Sequence, residues 1–221
     1  PTASALYYCH KAKRKDGIFL VYDLGGGTFD ATLLKAKDGK VTILAKQGVH
    51  NAGGVDFDAF ILHQMMKKMK ERCGVDLSAP EYEDVRQELL IEAEQCKKTL
   101  STRMSADMVV RAGTIREKVT INRGEFEKMV QRIYLRTESA FYSVLDHMGM
   151  EEKDVDRVIL VGGSTQIPYI RNELQKRFGD RVSYELDPNK AVAMGAALYG
   201  GYIKNEKETV AEKVQDICGY A

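Results

Sequence analysis

Two short strings place carboxylates, glycines and hydroxyls in the order that phosphate chemistry uses. In VYDLGGGTFD (21–30), Asp23 closes an apolar run, Gly25, Gly26 and Gly27 follow, and Thr28 and Asp30 open the next run. Glycines let main-chain amides come close to a phosphate, Thr28 adds a hydroxyl, and Asp23 and Asp30 can hold a hydrated Mg²⁺. A tight hairpin with capping aspartates fits the same residues, so residue types alone leave both readings open. In VILVGGSTQIP (158–168), Gly162, Gly163 and Ser164 stand between a strand-like run and a helix start, where unpaired helix amides can meet a nucleotide. A sharp structural turn is the alternative there. Neither string is a Walker A loop or a dinucleotide GxGxxG motif.

A third group lies on a predicted helix. Glu94, Lys97, Lys98 and Ser101 fall at i, i+3, i+4 and i+7 and so share roughly one face. They can hydrogen-bond a ribose and a purine base, or simply form a solvated face on which the Glu94–Lys98 pair contributes a few tenths of a kcal/mol. Other chemistries lose support. His10, His50, His63 and His147 show no HExxH or other close ligand spacing, and GxSxG is absent, which argues against zinc and covalent hydrolase chemistry. Cys9, Cys73, Cys96 and Cys218 lack the short pairwise spacing of a zinc or redox motif and suit a reducing cytoplasm.

These groups need a scaffold, and the chain is long enough to supply one. Its 221 residues, 44% of them hydrophobic, fit one sizeable domain or two small subdomains. With 33 Lys plus Arg against 32 Asp plus Glu, nothing marks a nucleic-acid-binding surface. No apolar run of membrane-spanning length and no secretory signal are present, and the missing initiator Met suggests a piece of something longer.

Apolar runs predict strands at 18–24, 28–34 and 40–48, with a hairpin turn at Asp38-Gly39. Helical spacing of Phe57, Phe60, Ile61, Met65 and Met69 predicts a helix over 56–72 closed by Gly74, its methionines serving as packing. A helix over 83–100, strands at 105–112 and 114–121, and a long helix over 123–148 follow. Glu151, Glu152 and Asp154 read as a solvated link. The remainder alternates: strand 158–161, helix 168–178, strand 182–184 and helix 190–202, with a charged tail over 205–221. The expected fold is α/β, a mixed sheet flanked by helices plus a smaller α+β subdomain.

The ordered series PTASALYY, VYDLGGGTFD, NAGGVDFD, EAEQCKKTLS, VILVGGSTQIPYI and DPNKAVAMGAALYG resembles the Hsp70 (DnaK-like) chaperone family. The likeness runs from Pro1 to about Gln215 and matches only the second half of that family's ATPase domain, lobe II. It implies an actin-like (ribonuclease H-like) fold, with residues 1–53 and 124–204 as the core subdomain, 54–123 as an inserted α+β subdomain, and 205–221 as tail and start of an interdomain linker. It implies ATP or ADP with Mg²⁺ as cofactors, and the turn Asp23, Gly25, Gly26, Gly27, Thr28 as a phosphate-binding loop with Asp30 on the Mg²⁺ side. Asp23 and Thr28 would support catalysis. Glu94, Lys97, Lys98 and Ser101 would hold ribose and adenine, Gly162, Gly163 and Ser164 would form the adenosine-binding turn, and Gly53 and Gly54 would match the family's diglycine.

The resemblance also implies partners: lobe I and a peptide-binding domain of the parent, a J-domain co-chaperone, a nucleotide-exchange factor and unfolded peptide clients, around a cytoplasmic monomer. The parent would hydrolyse ATP to control its grip on peptide, and these residues alone would be hydrolytically inactive. Three positions depart from the family pattern: Gln166 where Arg is common, Asn189 where Asp is common, and Val55 where Glu is usual. Gln166 can lie along a base but brings no cation. The string VQDICGY (214–220) resembles a linker start without its leucine run. Two other classes remain in play: a module that docks an exchange factor with little nucleotide affinity, and a relative among actins and sugar kinases.

Overall fold

The computed structural model of the chain describes residues 1–13, 16–38 and 40–205. Its centre is a five-stranded mixed sheet in the order β3-β2-β1-β6-β7. β1 (Gly17–Leu24), β2 (Thr28–Lys37) and β3 (Lys40–His50) form an antiparallel meander, and β6 (Arg157–Val161) and β7 (Val182–Ser183) extend it with parallel pairing. The apolar run of β1 is nearly continuous because both faces of the sheet are covered. Leu20, Tyr22 and Leu24 enter one core, whereas Phe19 and Val21 enter another on the opposite face. β6 divides in the same way, with Val158 and Leu160 on the first side and Ile159 and Val161 on the second.

The first core is covered by α4 (Arg123–His147) and α5 (Pro168–Phe178). The Tyr22 hydroxyl meets Thr137 Oγ1 at 2.6 Å inside it, so this buried polar group is satisfied where an unpaired one would cost about 1–3 kcal/mol. The same core continues into a second unit. There α2 (Gly54–Cys73) and α3 (Glu83–Leu100) pack against the two-stranded antiparallel sheet of β4 (Ser105–Ala112) and β5 (Ile115–Asn122). Along β4 every second residue is buried, from Ala106 to Ala112, the period of a ribbon with one face on a core. Met65 and Met69 are buried and Met66 packs against them, as expected of packing methionines. Gly74 ends α2 with φ +69°, a left-handed cap that a residue without Cβ adopts at least cost.

On the opposite face lie α1 (Thr2–Lys11) and α6 (Ala191–Asn205). Helical periodicity does not pick out α1: only Ser4, Ala5 and Tyr8 are buried in it. Ala5 and Tyr8 enter the second core, and α6 approaches closely enough that a Cβ on Gly195 would overlap the Ala3 main chain. The link 151–154 is more than solvated. It forms a short 3₁₀ turn in which the Tyr142 hydroxyl donates to Glu152, and Arg181 reaches the carbonyl oxygen of Val155 at 3.0 Å. Residues 206–221, which carry the linker-like string and Cys218, lie outside the described residues.

Candidate functional site

β1 and β6 are parallel neighbours, with Asp23 beside Val161 in register, so the two glycine turns leave the sheet side by side at its carboxyl end. That edge is where open α/β sheets bind ligands. Gly162 takes φ +84° and ψ 143°, a conformation nearly confined to glycine, and a Cβ on it would stand 2.6 Å from the Leu24 carbonyl carbon. Ser164 is buried, and its hydroxyl donates to the Gly25 carbonyl at 2.9 Å, tying one turn to the other. The Gly162 amide donates to the Pro188 carbonyl at 3.0 Å, which brings the Asp187-Pro188-Asn189 turn to the same edge.

The Gly25–Gly27 turn is closed by the Gly25 amide, which donates to the Thr28 carbonyl at 3.1 Å, and is tied to the rest of the chain through its carbonyls. Gly25 O accepts from the Gly54 amide at 3.0 Å, Gly26 O from the Val55 amide at 2.7 Å, and Gly27 O from the Ala52 amide at 3.3 Å. Among the described residues the amides of Gly26 and Gly27 donate to no main-chain acceptor. The N-terminus of α2 is therefore spent on holding this turn. Gly53 is the contact that permits it: a Cβ there would stand 2.7 Å from Gly26 C, Gly26 O and Gly27 N. Arg136 of α4 steadies the approach by donating to the His50 and Asn51 carbonyls, each at 2.7 Å.

α3 brings the third group to the same place. A Cβ on Gly54 would stand 3.1 Å from Lys97 Nζ, 3.3 Å from Ser164 Oγ and 3.5 Å from Gly26 O, so Gly54 is the point where turns and helix meet. Lys97 Nζ donates to the Gly54 carbonyl at 3.2 Å and to Asp58 Oδ2 at 2.8 Å. Asp58, on the second turn of α2, is a residue that sequence reasoning missed. An acidic side chain near a helix start reads as a complement to the helix dipole, and only the stacking of α3 on α2 buries it. Glu94 and Lys98 form a surface pair at 2.9 Å, and that contact holds the Glu94 carboxyl below its usual range. Ser101 caps α3, its hydroxyl donating to the Lys97 carbonyl at 3.0 Å.

Asp23 and Asp30 sit opposite each other in the β1–β2 register, which puts their side chains on one face. Neither side chain carries a hydrogen bond or ion pair within the described residues. Burial raises the Asp23 carboxyl above its ordinary value, the Pro1 ammonium offsets part of this, and the Asp30 charge adds to it. Gly48 leaves room beside them, because a Cβ there would stand 3.1 Å from Asp30 Oδ1. A folded-state value raised above the unfolded one means that stability falls as pH rises through that interval. Asp23→Asn should therefore raise Tm at neutral pH, with the gain closing as pH falls below the ordinary carboxylate range of about 3.9, read by thermal melts across pH.

A family model described as Hsp70 protein matches residues 1–220. The chain belongs to the Hsp70 family. It therefore carries an ATP-binding, chaperone-type domain, and the mixed five-stranded sheet flanked by helices is that of an actin-like ATPase lobe. Among the described residues no helix is long and apolar enough to cross a membrane.

Against the Hsp70 family pattern, the departures fall around the junction of the turns. Val55 is 59% exposed beside Gly27, an apolar side chain at the rim of the glycine turn. Gln166 is exposed on the 3₁₀ turn Gly163–Gln166, and the exposed Asn189 places its Oδ1 2.9 Å from where a Cβ on Gly163 would stand. Thr28 and Lys98 are exposed, and Glu94 and Ser101 half-buried.

Proposed function

We propose that this chain is lobe II of an Hsp70-type ATPase domain and supplies half of an ATP/ADP site at the carboxyl edge of its sheet. In this reading 1–53 and 124–204 form the core subdomain and 54–123 the inserted one. The observation that carries it is the division of the Gly25–Gly27 turn, whose carbonyls are all engaged by the chain while the Gly26 and Gly27 amides are not. Amides gathered on one side of a fixed turn suit a phosphate. Asp23 and Asp30, two neighbouring carboxylates without a counter-charge at hydrogen-bonding distance, fit a hydrated Mg²⁺. When bound, that ion supplies positive charge that offsets the phosphates.

The chain's own residues bind and orient. Amides of Gly26, Gly27 and Thr28 hold the phosphates, with Thr28 and Asp23 supporting hydrolysis in the parent. Gly162, Gly163 and Ser164 shape the adenosine side, Gln166 lies along the base and Asn189 lines that turn, while Glu94, Lys97, Lys98 and Ser101 reach the ribose and base. Gly53 and Gly54 hold the first turn in place. Transition-state charge needs donors converging from both sides, so these residues alone should hydrolyse ATP negligibly. In the parent, hydrolysis controls the grip on unfolded peptide, with a J-domain co-chaperone and a nucleotide-exchange factor acting on the cycle of a cytoplasmic monomer.

Calorimetric titration with Mg·ADP tests the reading against a Lys97→Ala plus Ser101→Ala variant. Saturable binding by the chain, weakened tenfold or more in the variant, is the expected result. No saturable binding by the unaltered chain would overturn the nucleotide reading and leave the lobe as a docking module for an exchange factor.

A further inference from the structure

The buried pair Asp58–Lys97 is an odd way to stabilise a fold. Both side chains are largely buried, at 11% and 14% exposure, and the pair spans α2 and α3 at 2.8 Å. Only one carboxylate oxygen is used. Asp58 Oδ1 is buried and has no hydrogen-bond partner among the described residues. Pairs of this kind offset their desolvation only when the remaining lone pairs are satisfied, and an apolar substitute is often as stable. Burial accordingly raises the Asp58 carboxyl above its ordinary range even with Lys97 against it.

What the pair does accomplish is geometric. A lysine ammonium has three N–H donors on a flexible four-carbon stem whose ordering costs rotamer entropy. Asp58 Oδ2 takes one and the Gly54 carbonyl takes another, which leaves one donor without an acceptor among the described residues. Lys97 Nζ is thereby fixed beside Gly54, within reach of both glycine turns. Neighbouring Lys98, held instead by the surface pair with Glu94, has no such constraint and is 58% exposed.

We propose that Asp58 is a positioning residue for the nucleotide site: it pins the Lys97 ammonium against the Gly54 carbonyl so that its remaining N–H meets the ribose hydroxyls. This rests on the nucleotide reading above. Asp58 does not touch the ligand; it pre-orders the side chain that does, so the ordering entropy is lost on folding and not on binding.

A double-mutant cycle on the full chain tests it, with Mg·ADP affinity read by calorimetry, Tm by thermal melts and the lysine ammonium by ¹H–¹⁵N spectroscopy without nucleotide. Asp58→Asn should weaken Mg·ADP about tenfold while Tm stays at or above that of the unaltered chain. In a Lys97→Ala background the same change should weaken binding no further. A slowly exchanging ammonium signal, assigned by its absence in Lys97→Ala, should vanish in Asp58→Asn. Unchanged affinity in Asp58→Asn, or a penalty that persists without Lys97, overturns the proposal. Should Asp58→Asn fail to fold, the signal in the unaltered chain decides: its absence overturns the pinning, and its shift on adding Mg·ADP supports it. If the unaltered chain shows the signal but binds no Mg·ADP, the nucleotide reading fails while the pinned geometry stands, and the positioning role falls with that reading.

Discussion

Gly162→Ala should destabilise the chain by about 3 kcal/mol and lower Tm by roughly 10 °C, the largest loss expected from any single methyl at this edge of the sheet. Two independent penalties act there. The main chain at Gly162 has φ +84° with ψ 143°, a region in which an L-residue is strained by about 1–3 kcal/mol before any neighbour is considered. A Cβ would also stand 2.6 Å from Leu24 C and 3.0 Å from Gly25 N, and both are backbone atoms of β1 and the adjoining turn. Relief requires β1 and β6 to separate where Asp23 and Val161 are in register, and the Ser164 to Gly25 hydrogen bond breaks with them. Nucleotide affinity should fall together with stability. An alanine variant melting within about 2 °C of the unaltered chain would refute this account of the turn.

Much of the scaffold is legible in the sequence because each element carries its own punctuation. The helices over 83–100 and 168–178 have the bounds that periodicity, Pro168 and the Leu100-Ser101 boundary predict, and the three strands of the meander are found with ends extended by one to three residues. α1 is not singled out by the sequence reading, although Ala5 and Tyr8 enter the second core with Cys9 and Ala12 against it, because its close seating also depends on Gly195 lying against Ala3 from the far end of the chain. The site is legible as a set of residues and illegible as a set of relations. Glu94, Lys97, Lys98 and Ser101 share a helix in both views, yet only Lys97 turns inward, because Asp58 meets it from 39 positions away. Ser164, expected to face a ligand, spends its hydroxyl on Gly25 across 139 positions. Contacts of that range leave no local periodicity to read.

The glycines turn the question that residue types left open into a measurement, and they set up the second large effect. Gly53 and Gly162 are required by the chain's own packing, as Cβ atoms there would enter neighbouring backbone. Gly26 is not: a Cβ on it would meet nothing within 4 Å, and its φ lies outside the left-handed range. If the triplet served only the hairpin, Gly26→Ala would be neutral or would stabilise by about 0.4–1 kcal/mol through the unfolded chain. We expect that stability result together with a fall in Mg·ADP affinity of tenfold or more, because a methyl at Gly26 adds bulk between two amides whose value to a phosphate is that a ligand can approach them closely. The turn itself should keep its shape, since the Gly54, Val55 and Ala52 amides hold it by its carbonyls, which the substitution leaves in place. Melting and calorimetry on the same sample separate the two effects. Equal affinity in the alanine variant would assign the triplet to the hairpin and remove the phosphate from this turn, whereas stability kept with binding lost places the ligand on the amide side.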